Sequence, residues 1–87
     1  MTTADLIRER LAALEPETYT LEDESAQHRG PPGAGGGGGH YRLTVISPRF
    51  RNLTTLARHR LVYDAMGELM HREIHALSIT ALTPEEL

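Results

Sequence analysis

The sequence predicts an α+β fold: a three-stranded sheet with helices packed on one face, in the order α-β-β-α-α-β with a short closing helix. Apolar residues recur at helical spacing near the N-terminus and again over residues 53–70. They alternate at every second position in three other stretches, and proline and glycine separate the stretches. At 87 residues the chain has room for a single domain, residues 1–87, built on one small core.

Thr3 is placed to cap a first helix running to about Leu14, with Leu6, Ile7, Leu11 and Leu14 along one side. Pro16 ends it. Tyr19-Thr20-Leu21-Glu22 then alternates apolar and polar and reads as a half-buried strand. Seven of the eight glycines follow within Gly30–Gly39, as GPPGAGGGGG. Five consecutive glycines cannot hold a helix or strand against their backbone entropy, so residues 29–39 are expected to form a long flexible loop. A phosphate-cradling loop is not expected, because no Gly-Lys-Ser or Gly-Lys-Thr ending is present and a strand follows.

That second strand is His40-Tyr41-Arg42-Leu43-Thr44-Val45-Ile46-Ser47, with Tyr41, Leu43 and Val45 on one face. The two strands make a hairpin with an open end. Pro48 stops the second strand, and Asn52 suits a left-handed turn. A helical stretch runs from about Leu53 to Met70, with His59, Val62, Tyr63, Met66, Leu69 and Met70 on one stripe. Arg60 and Asp64 are spaced as a surface pair, and Gly67 marks a candidate break. Ile74-His75-Ala76-Leu77-Ser78-Ile79-Thr80 is the third strand, with His75 on the face of Leu77 and Ile79. Thr83 as N-cap, Pro84 at the first position, and Glu85 and Glu86 start a closing helix.

The net charge of −3 hides a segregation. Residues 1–27 carry seven acids and two arginines, residues 28–72 seven arginines and two acids, and residues 73–87 three acids. All nine basic residues are arginine, which is better suited than lysine to bidentate contacts but also follows from codon bias. No apolar run approaches the roughly 18–20 residues that span a bilayer, and MTTADLIRERL is not a secretory signal. A cytoplasmic protein with no membrane partner is expected.

The chain has no cysteine, which excludes disulfides, a catalytic thiol, and a cluster held by its own thiolates. The chemical groups of note are therefore His28, His40, His59, His71 and His75. His59 lies on the core stripe, where a hydrogen-bonded, half-buried imidazole is the default. His71 sits at a helix C-terminus, which favours a partly positive ring. His40 reads as solvated. No histidine pair has zinc-motif spacing and no nucleophile motif is present, so the chain is not expected to be an enzyme.

Arg49, Arg51, Arg58 and Arg60 cluster around the strand-to-helix turn. Arg58 and Arg60 stand about 160° apart on a helix, so they do not form one flat patch. Aromatic residues are 5% of the chain, too few for stacking platforms. The element order is that of a class II KH-like fold, but the turn that would carry GxxG reads Arg51-Asn52-Leu53-Thr54.

Ser47, Phe50, Arg58-His59-Arg60 with Tyr63, His75-Ala76-Leu77 and Thr83-Pro84 together resemble the BolA family. Asp23-Glu24-Ser25 followed by His28, and the His40-Tyr41 pair, resemble its hairpin. The match covers nearly the whole chain and departs at two places: Asn52 holds a position where the family has glycine, and the loop is polyglycine. The resemblance implies a class II KH-like fold and partnership with a monothiol glutaredoxin around a bridging 2Fe–2S cluster. The partner would supply a cysteine and bound glutathione. His75 would be the leading ligand of this chain and His28 the second. It also implies, as the alternative, duplex DNA binding by a regulator of stress response and cell morphology. Arg49, Arg51, Arg58, His59 and Arg60 would be the contacts to nucleic acid or partner. Alone, the chain is expected to be a monomer or weak homodimer.

Overall fold

A computed structural model describes residues 1–25 and 39–87. The expectations for His28 and for the loop over residues 29–38 lie outside the described residues.

The first helix, α1, spans Thr3–Leu11 and tightens into a 3₁₀ turn at Ala12–Leu14. Its cap is Thr2, not Thr3. Thr2 Oγ1 accepts the Asp5 N–H at 3.1 Å and Asp5 Oδ2 accepts the Thr2 N–H at 3.2 Å. Asp5 closes this reciprocal box, whereas Thr3 has Leu6 at the same offset. Ile7, Leu11 and Leu14 are buried. Glu15, at φ 46°, turns the chain into β1, Thr18–Asp23.

Strand β1 pairs antiparallel with β2, Gly39–Ile46, and β2 pairs in parallel with β3, Ile74–Leu82, giving the order β1-β2-β3. Gly39, expected in the loop, is the first residue of β2. A 3₁₀ turn at Pro48–Phe50 follows β2 and buries Phe50 fully. Asn52 takes the left-handed conformation its residue type suggested, with φ 63°.

Helix α2 spans Thr55–Met66, shorter than the stretch predicted from periodicity. Thr54 caps its start, accepting the Ala57 N–H at 3.1 Å. Gly67 ends it at φ 56°, and a 3₁₀ turn over Gly67–His71 carries the chain onward. Val62, Met66 and Leu69 are buried, His59 is half-buried, and Tyr63 is 40% exposed, so the buried stripe is narrower than predicted. Arg60 forms no ion pair with Asp64 among the described residues.

The core lies between the helices and one sheet face. Tyr41, Leu43 and Val45 of β2 and Leu77 and Ala81 of β3 meet Ile7 and Leu11 of α1 and Val62 and Met66 of α2. The opposite face is polar. Thr20, Thr44 and Thr80 form one row across it, and Glu22, Arg42 and Ser78 the next.

Candidate functional site

The start of β3 is irregular. Between Gly39 and His40, β2 advances by one residue while its partners on β3 go from Ile74 to Ala76. His75 is thus the extra residue of a bulge, which re-aims a side chain. Strict alternation puts His75 with Leu77 and Ile79. Instead Leu77 is buried while His75 is exposed, with its ring against His40. The two ring centroids are 5.0 Å apart and the planes are inclined by 41°.

The backbone around this pair is pinned. Ser25 Oγ accepts the His40 N–H at 3.1 Å, and the His40 carbonyl accepts the Glu24 N–H at 2.8 Å. Asp23 Oδ1 accepts the Ser25 N–H at 2.9 Å, and hydrogen bonding from Ser25 holds the Asp23 carboxyl below its ordinary range. Gly39 donates its N–H to the Glu73 carbonyl at 2.9 Å. A Cβ at Gly39 would fall 2.6 Å from Tyr41 Cε2 and 2.7 Å from Ser25 Oγ, so this corner is shaped around a glycine. The chain therefore leaves β1 and enters β2 beside His75. His28 lies three residues beyond Ser25, a span of at most about 10 Å of extended chain.

The arginines are distributed differently from the expected contact cluster. Arg49 Nη1 donates to Glu15 Oε1 at 2.7 Å and to the Ala13 carbonyl at 3.3 Å. Arg51 pairs with Glu85, its Nε donating at 2.8 Å. The Arg58 side chain is only 13% exposed. Its Nε donates to the Leu53 carbonyl at 2.9 Å; its Nη1 donates to the Ala81 carbonyl at 3.0 Å and to Glu86 Oε1 at 2.6 Å. Arg58 thus clasps three segments together, facing inward because each offers it an oxygen. His59 is half-buried, and Arg60 points to solvent.

Two features escaped the sequence. His40 read as a solvated strand start, because a bulge that brings His75 to it leaves no local signature. The union of the Arg-His-Arg and Thr-Pro-Glu-Glu segments was equally hidden, because it joins residues 28 positions apart. Among the described residues, no set of three His, Asp or Glu side chains gathers to hold a metal unaided. No helix among them is long and apolar enough to cross a membrane.

The antiparallel-then-parallel sheet with helices on one face defines a small α+β module of the class II KH-like type. A sequence model described as BolA-like protein matches residues 11–86. The chain belongs to the BolA family. It is 45% identical over 74 residues to BolA-like protein 1 of Bos taurus, covering 85% of this chain and 53% of that protein. It is 36% identical over 83 residues to the DNA-binding transcriptional regulator BolA of Vibrio cholerae, covering 94% of this chain and 76% of the relative. Among solved structures, BolA1 from Arabidopsis thaliana superposes with a TM-score of 0.84 at 34% identity, covering 100% of this chain and 98% of the other. The chain spans about half the length of the mammalian relatives it matches.

Proposed function

We propose that the chain is an accessory protein, not an enzyme, that partners a monothiol glutaredoxin and co-ligates a bridging 2Fe–2S cluster in iron–sulfur trafficking in the cytoplasm. The observation that supports this is the corner at His75. An exposed imidazole stands where the chain leaves β1 and enters β2, and His28 follows three positions after Ser25 in the sequence.

This donor set suits the cluster. Imidazole is a ligand for iron, and it binds only when neutral. The chain has no thiolate to give. The remaining ligands would be the partner's cysteine and its bound glutathione. Histidine in place of thiolate on one iron raises the reduction potential of such a cluster. The residues of this chain would bind and orient; the exposure of His75 leaves its outer side open to a docking protein.

Anaerobic mixing with holo-glutaredoxin and glutathione, followed by visible circular dichroism, tests this. A new spectrum that is lost in His75→Ala and weakened in His28→Ala is expected. A spectrum identical to that of the glutaredoxin homodimer, unaffected by His75→Ala, would overturn it.

A second reading is duplex DNA binding. It draws on the regulator name of the Vibrio cholerae relative. Of the candidate contacts, Arg49, Arg51 and Arg60 are exposed, the first two in surface ion pairs that a phosphate could replace, whereas Arg58 is mostly buried and His59 half-buried. Amide shifts over residues 49–63 on titration with duplex DNA at low salt support this reading, and their absence excludes it.

A further inference from the structure

We infer that the open edge of β3 is a self-association surface, on which two copies pair β3 against β3, antiparallel about Ser78, into one continuous sheet. This goes beyond the cluster reading and does not depend on it.

The composition of the edge strands motivates the inference. Strand β3 is nine residues long, IHALSITAL, and carries no proline and no formally charged side chain. Exposed edges are ordinarily blunted by charge, proline or short length. The other edge strand, β1, follows this rule: it is six residues long and ends in Glu22 and Asp23.

Hydrogen bonding shows which groups of β3 face outward. The Ser47 N–H donates to the Leu82 carbonyl at 2.9 Å, so Leu82 turns its polar backbone toward β2. Ala81 turns the other way, and its carbonyl accepts Arg58 Nη1. By alternation, Leu77 and Ile79 direct their N–H and C=O groups to the outer edge, where no fourth strand lies among the described residues. The bulge at His75 closes this free run at one end, and Arg58 occupies Ala81 at the other. Ser78 is the midpoint.

A two-fold axis at Ser78 uses this geometry fully. It sets Leu77 of each copy opposite Ile79 of the other, and each pair exchanges both backbone hydrogen bonds. Ser78 then faces Ser78 of the second copy, and Ala76 faces Thr80, placing small side chains at the closely spaced pairs. No like charges meet, and an isologous contact closes at two copies. Self-complementarity favours a second copy over an unrelated strand. One strand pair is small beside the about 1,600 Å² of a standard interface, so the association is weak.

Sedimentation and amide hydrogen exchange of the full chain, at roughly 20 µM and 1 mM, test the inference. The mass should rise toward that of two copies, and the Leu77 and Ile79 amides should exchange about tenfold more slowly at the higher concentration. Ser78→Glu should abolish both effects with unchanged far-UV circular dichroism. Its carboxylate lies next to Arg42 within its own chain, but meets a like charge in the pair. A chain that stays monomeric throughout overturns the inference, as does a dimer indifferent to Ser78→Glu. Slow exchange of these amides in the dilute monomer would show another segment or a foreign strand on the edge, and would also overturn it.

Discussion

Arg58 Nη1 stands 2.6 Å from Glu86 Oε1, and the same carboxylate oxygen accepts the Thr83 N–H at 2.7 Å. One oxygen thus closes the cap of the final 3₁₀ turn and anchors a guanidinium from α2. Because Arg58 also binds the carbonyls of Leu53 and Ala81, it joins the approach to α2, the end of β3 and the final turn. Arg58→Ala leaves those carbonyls without their donor, at a cost of about 1–3 kcal/mol in a urea titration. Arg58→Lys should fall between it and the parent, since a single ammonium cannot reproduce the planar fork.

Acid should loosen the same contact. The Arg58 hydrogen bond, then that of the Thr83 backbone, lower the Glu86 carboxyl from 4.5 to about 2. A depressed carboxyl contributes stability that is present above its unfolded value and is lost as pH falls through its folded value. The urea midpoint should therefore drop as pH goes from 4.5 toward 2. Glu86→Gln should flatten that slope and leave the midpoint near neutrality lower. Glu85, lowered by its hydrogen bond to Arg51, and Asp5, lowered by Thr2, contribute in the same direction. These groups are exposed, so added salt should shrink the effect.

Ser47 is fully buried and ties the end of β2 to α1's terminal turn. Its Oγ donates to the Leu14 carbonyl at 2.6 Å and accepts the Arg49 N–H at 3.1 Å. Ser47→Ala strands a buried carbonyl and removes the cap of the Pro48–Phe50 turn. The expected loss is about 1–3 kcal/mol, measured by denaturant titration. Ser47→Thr should recover the bonds but strain the site, since Ser47 itself is fully buried.

Gly39→Ala should destabilise the fold by about 1–3 kcal/mol, because the new methyl meets Tyr41 and Ser25. It should also shift the His40 and His75 ring resonances, as Ser25 holds the His40 backbone. An Ala variant with parental stability and unmoved ring signals would contradict this account of the corner.

Much of the fold was legible in the chain because the deciding contacts are local. The Asn52 turn, the Gly67 break, the Thr83 cap and the alternation of Tyr41, Leu43 and Val45 are each set by residues within a few positions. The exact cap of α1 was misassigned by one residue, since two adjacent threonines both qualify until the box with Asp5 is seen. Of the candidate site, His75 was identifiable through the family resemblance, but its surroundings were not.

The sequence by itself determined the α+β order, the absence of any thiolate, and an uncharged third strand. Tertiary structure decided how these are used. It placed His75 in a bulge against His40, thirty-five positions away in the chain. It turned Arg58 inward to Glu86, across a separation of 28 residues, and so removed it from the basic surface. It also made β3 an edge strand among the described residues. Local patterning reports what each segment prefers. Which strand lacks a neighbour, and which arginine finds three oxygens, depend on packing between segments distant in sequence.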